Sequence, residues 1–303
     1  MIEKMHIGVF LGLLAMAVQY FSLVFSGKFA RESGRNIFAL LAPAFAAMAV
    51  PSLVALPFFW GPDLPPFRAY AGTAMLCMFF CVAGNAAVFC MLKTVDASRV
   101  SPLIAFKVPV LALFYFVLRG EQYTAWQWLG VLLVVPAGWL LCKAGRPIPA
   151  RALAWLGLGV VCYDACDYCI GLLLETFGPC GAMWRGPMLA FLVMHAAGGV
   201  YGAAGMACGL WPGRAHLARS VLPFALFWFL SLGISFPCFA MIGLVNGNIV
   251  QSSRGLIAVG LGWCVARAGF GGLEEPVTAA VFFRRVVSGL LLILAAVLFN
   301  LAR

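Results

Sequence analysis

The chain has 303 residues, of which 64% are hydrophobic and only 10% charged, with a formal net charge of +10. A soluble domain carries about 25% charged residues and about 45–50% apolar ones, so the composition excludes a soluble globular protein and predicts a polytopic membrane protein. The positive charge sits mostly in short connections, where lysine and arginine set membrane orientation, and implies no nucleic-acid partner.

The N-terminal run "MIEKMHIGVFLGLLAMAVQYFSLVFSG" has a longer apolar part than a signal peptide and no A-x-A-like cleavage site, so it reads as a retained first span. A span needs about 20 mostly apolar residues. Breaks at Gly/Pro clusters and charges predict ten, at 5–27, 36–59, 67–91, 98–119, 125–142, 152–177, 182–205, 219–243, 249–267 and 278–301. The connections "GPDLPP", "CKAGRPIPAR" and "LWPGRAH" carry turn and breaker chemistry. The expected fold is therefore an all-α polytopic bundle with no soluble domain.

Ten spans suggest five plus five. "FLGLLAMAVQYFSL" from Phe10 lies without a gap against "WLGLGVVCYDACDY" from Trp155, setting Gln19 opposite Asp164 and Ser22 opposite Asp167. "NAAVFCMLKTVDAS" from Asn85 lies likewise against "SFPCFAMIGLVNGN" from Ser235, and Pro43 can be set against Pro187. Three matches in the same order predict a duplication, with repeats at 1–146 and 147–303. Five is odd, so the two copies would cross the membrane in opposite directions, an inverted repeat with substrate held between the halves. Loop lysines and arginines place the face carrying Lys28, Arg31, Arg35, Lys93, Lys143, Arg146, Arg151, Arg214 and Arg219 in the cytoplasm, with both termini outside.

In "VCYDACDYCIGLL", Val161–Leu173, two aspartates stand in the middle of a span. Asp164 lies about 18 Å into it at about 1.5 Å per residue, and Asp167 shares its face one turn on. An ionised carboxylate at the helix centre costs at least about 2.5–3.5 kcal/mol on insertion scales, so each should face a cavity or a basic partner. A carboxyl kept from water can also carry a coupling proton. Cys162, Cys166 and Cys169 fall on the opposite face and read as packing or lipid-contact residues rather than metal ligands.

Residues 97–141, "ASRVSPLIAFKVPVLALFYFVLRGEQYTAWQWLGVLLVVPAGWLL", resemble the repeat end of the drug/metabolite transporter superfamily, EamA-like branch. The resemblance rests on Pro109 in the fourth span, the run into "RGE" with Glu121, and "TAWQWLG" opening the fifth. "SSRGLIAVGLGWCVA" from Ser252 and "GGLEEPVTAAVFFRRVVSGLLLILA" from Gly271, with Glu274 or Glu275, give a weaker echo. The resemblance implies a central polar cavity that faces either side in turn. It also implies that basic residues on spans 4 and 9, here Lys107 and Arg254, can grip an anion, although the two are three residues apart in the repeat register.

The candidate substrate-binding set is Asp164, Asp167, Lys107, Arg254, Gln19, Asn85, Tyr163, Tyr168, Gln251, Ser253 and His195. Arg254 would hold carboxylate or phosphate in bidentate fashion, whereas in the structural alternative both bases serve as counter-ions to the two acids. Gln19, Asn85, Gln251, Ser252 and Ser253 would extend the cavity or join helices. His195 titrates near neutrality or is a packing residue. Arg185, Arg284 and Arg285 read as snorkelling side chains, and Phe and Trp residues elsewhere as packing or lipid-facing. No Walker-type loop or paired metal spacing occurs, so no cofactor is expected.

These residues predict a secondary transporter in a bacterial inner membrane. It would move a small polar metabolite with an anionic group, an amino acid or an organic or phosphorylated acid, by proton coupling or exchange. A flippase for a charged-headgroup lipid, and a membrane enzyme using the acids, are the alternatives.

Overall fold

The structure, a computed structural model, describes residues 2–34, 36–95, 100, 103–142, 148–180, 183–252, 257, 260–261 and 278–301. The helices are α1 (Ile2–Glu32), α2 (Phe38–Phe59), α3 (Phe67–Leu92), α4 (Lys107–Arg119), α5 (Ala125–Cys142), α6 (Ala150–Phe177), α7 (Arg185–Ala207), α8 (Leu222–Ile242), α9 (Leu244–Gln251) and α10 (Ala279–Leu301). A short α-turn and a π-turn over Leu217–Val221 lead into α8. No strand occurs among the described residues.

Seven helices, α1, α2, α3, α6, α7, α8 and α10, are long and apolar enough to cross a membrane, which makes the chain an integral membrane protein. Ten full spans are not what the described residues contain. The expected fourth span is a helix of 13 residues, about 20 Å long, entered through a 3₁₀ turn at Ile104–Phe106. Most of the expected ninth lies outside the described residues, beyond the eight residues of α9.

Local chemistry explains these ends. Pro109 is the third residue of α4, where the first-turn N–H groups have no intrahelical acceptor, so its missing donor costs nothing. Gly120 then ends α4 with a left-handed φ of 67°, its N–H donating to the Tyr115 carbonyl. Gly243, at φ 83°, divides α8 from α9 with one residue where the sequence suggests a longer break.

Four long helix pairs build the bundle: α1 with α8, α2 with α7, α3 with α6, and α5 with α10. Each crosses at glycine. A methyl on Gly202 would stand 2.5 Å from the Ala46 nitrogen and 2.7 Å from the Ala42 carbonyl oxygen; one on Gly130 would stand 2.7 Å from the Ala295 carbonyl oxygen. Gly12 packs on Val250 and Cys238, and Gly84 on the Tyr163 ring. Lipid offers helices little hydrophobic drive to associate, so close backbone approach through small residues supplies the contact. The α3–α6 seam adds thiols: Cys77 and Cys166 bring their sulfurs to 3.6 Å, so the cysteine face of α6 packs against α3.

Candidate functional site

The site grows from α6 and α4. On α6, Tyr163, Cys166, Asp167 and Ile170 follow helical spacing and present one stripe to a narrow internal cavity of about 40 Å³. α4 brings Lys107 to the same wall, because the 3₁₀ turn leaves that lysine as its first residue. Gln19 and Leu23 enter from α1, Cys81 from α3, Met194 from α7, Trp228, Leu232 and Phe239 from α8, and Gln251 from α9.

Lys107 Nζ donates to Asp167 Oδ2 at 2.8 Å, with the two side chains 8% and 9% exposed. This is a charge pair almost wholly removed from water, and it stays stable only while both partners are present. Gln251 Nε2 donates to Ser235 Oγ at 3.0 Å, and Ser235 passes its own proton to the Ser231 carbonyl at 2.9 Å, so the glutamine is held rigidly at the cavity edge. Tyr163 and Trp228 stack with centroids 6.5 Å apart and line the same cavity.

Five of the sequence candidates meet at this cavity: Gln19, Lys107, Tyr163, Asp167 and Gln251. Four lie off it. Asp164 is completely buried, and neither of its carboxyl oxygens has a hydrogen-bond partner. Asn85 returns its amide to the Cys81 carbonyl at 2.8 Å. Tyr168 packs edge-on against Tyr115, beneath the Arg119 guanidinium. His195 is held by the Phe191 carbonyl at 2.9 Å between the rings of Phe191 and Phe229, the packing alternative for this residue. Arg254, Ser253, Glu274 and Glu275 lie outside the described residues.

Trp228, which the sequence offers as a packing or lipid-facing residue, lines the cavity, which only the packing of α8 on α6 could decide. Arg185, at the start of α7, forks onto Asp63 at 2.6 and 2.8 Å and donates its Nε to the Phe59 carbonyl at 3.0 Å. That fork holds the Asp63 carboxyl below its ordinary value of 3.8. A second fork joins Arg119, at the end of α4, to Glu175 near the end of α6, with one arm at 2.7 Å. The Asp63–Arg185 contact puts the α2–α3 and α6–α7 junctions on one face, and Glu175 sits at the α6 end of that face.

No family model matches the chain, and no curated protein matches it. By contrast, 26 solved chains match. One, solved as "Crystal structure of protein", superimposes with a TM-score of 0.63 over 98% of this chain and 98% of its own, at 15% sequence identity. A likeness at that identity speaks to fold alone. What the geometry and the comparison establish together is an integral membrane protein, all-helical over the described residues, whose fold is shared by solved structures and whose interior holds the Lys107–Asp167 cavity.

Proposed function

We propose that the chain is a secondary transporter of the drug/metabolite transporter type, moving a small polar metabolite with an anionic group by alternating access in a bacterial inner membrane. The observation that carries the reading is the buried Lys107–Asp167 pair on the wall of a cavity to which α1, α3, α4, α6, α7, α8 and α9 all contribute. An intramembrane ion pair beside a cavity marks a solute path, because its desolvation is offset when a solute exchanges for one partner. The substrate's anionic group competes for Lys107, and an ammonium on the same molecule has Asp167.

The helix pairing supports a five-plus-five inverted repeat. Exchanging helix 1 with 6, 2 with 7, 3 with 8 and 5 with 10 turns α1–α8 into α6–α3 and returns α2–α7 and α5–α10 unchanged. An internal two-fold axis requires that pattern. A flippase would need a lateral opening that carries the charges to the bilayer. The cleft between α1, α2 and α8 is lined by Phe25, Met48, Pro51, Leu222, Leu226 and Phe229, and holds none of them.

The test is a thermal-shift panel on purified protein, with amino acids, organic acids, sugar phosphates, nucleotides and lipid headgroups. A solute of the expected class raises the melting temperature of the wild type but not of Lys107→Gln or Asp167→Asn. Stabilisation that survives both substitutions overturns the site.

A further inference from the structure

Asp164 is the anomaly of the interior. It sits one turn before Asp167 on α6, is 0% exposed, and has two carboxyl oxygens without a donor among the described residues. Buried polar groups are hydrogen-bonded almost without exception, so an unpartnered carboxyl in the middle of a membrane helix requires a cause. Among the described residues, Lys107 and Asp167 are the charged groups that act on it. Other titratable groups on helices packed against α6 are engaged elsewhere: Cys77 and Cys81 of α3 lie against Cys166, Tyr115 of α4 against Tyr168, Arg119 of α4 on Glu175, Arg185 of α7 on Asp63, and His195 of α7 between two phenylalanine rings.

Among the described residues, two carboxyls therefore share one ammonium, and Lys107 pairs with the one on the cavity wall. With both acids ionised, the cluster would hold one uncompensated negative charge away from water, the costliest arrangement available to it. A bound proton cancels that charge without any further side chain.

We propose that Asp164 is a proton-binding site, and that Lys107 moving between Asp167 and Asp164 couples that proton to solute movement. When Lys107 leaves Asp167 for Asp164, the O–H bond at Asp164 breaks and one forms at Asp167. The proton thus passes from a sealed carboxyl to one on the cavity wall, and the cluster remains neutral throughout. The coupling role rests on the transporter reading; the bound proton does not.

Infrared spectroscopy of the full chain in lipid nanodiscs tests this without a substrate, because a protonated carboxyl has a carbonyl stretch distinct from a carboxylate and shifted in D₂O. Near neutral pH the wild type should show one such band, lost in Asp164→Asn. Asp167→Asn should lose it too, since Lys107 then has only Asp164 to pair with. Lys107→Gln should gain a second band, from Asp167. Absence of the band in the wild type, or its persistence in Asp164→Asn, overturns the proposal; the other two variants carry the test if Asp164→Asn does not fold. If the bands behave as expected but no solute in the panel binds, the transporter reading fails and the coupling role with it. If a solute binds while the wild type shows no band, the transporter reading stands and this inference falls.

Discussion

Lys107 shows how much one side chain can carry. As the first residue of α4 it reaches Asp167 at 2.8 Å, and both groups are sealed from water. Removing Lys107 leaves Asp167 buried without its partner, ionised at high cost or driven to take up a proton, whereas removing both leaves no charge on the cavity wall. Lys107→Met is therefore expected to destabilise the protein by about 3–5 kcal/mol, and Lys107→Met with Asp167→Leu to recover most of that loss. Denaturant unfolding in detergent reads both values; equal losses in the single and double variants would show that the loss does not come from leaving Asp167 without its partner.

The helices are governed by close approach rather than by amphipathic patterning. α2 reads "FALLAPAFAAMAVPSLVALPFF", with no charge on any face, and its partner α7 brings Gly199, Gly202 and Gly205 to the crossing, while Gly198 faces α3. The Met78 side chain packs on Gly198, Ala49 on Gly199 and Ala42 on Gly205. Gly202 meets backbone rather than a movable side-chain tip, so a larger residue there must push the helices apart. Gly202→Leu should cost about 1–3 kcal/mol, while Gly157→Ala, with nothing within 4 Å of the added methyl, should cost nothing. Unfolding titrations of the two variants side by side check the contrast, which fails if they lose stability equally.

Across the whole molecule, two arginine forks close one face, Asp63–Arg185 and Arg119–Glu175, and each joins a helix or loop of the first five to a helix of the second. The Asp63 carboxyl is held below 3.8 by the Arg185 fork, so its contribution is fully present above the ordinary carboxylate range and is lost as pH falls through the lowered value. The melting temperature should stay level in this respect from neutral pH down to that range and then drop, and Asp63→Asn should remove that part of the drop. Cys180 supplies a second readout, since it is 1% exposed and its thiol donates to the Asp63 carbonyl at 3.4 Å. In Asp63→Asn an impermeant maleimide should label Cys180 several-fold faster at neutral pH. Unchanged labelling would mean that the fork does not hold this face shut.

The sequence by itself determined the membrane class, the positions of the long helices, and two charged members of the site. Each of these follows from local quantities: apolar length, breaker residues such as Gly120, and the cost of a charge such as Lys107 or Asp167 at bilayer depth. The sequence put Asp164 and Asp167 three residues apart on one face of one helix, with Asp164 at mid-span and so the first candidate to face a cavity. Only the packing of α4 against α6 separated them, giving Asp167 the ammonium and leaving Asp164 sealed without a donor. Trp228 and Arg185 belong to the same class of decision, because their partners, Tyr163 and Asp63, are distant in the chain. Depth in the membrane is written in the local sequence, whereas the identity of the neighbour at that depth is set by how helices cross, and here glycines far apart in the chain fix those crossings.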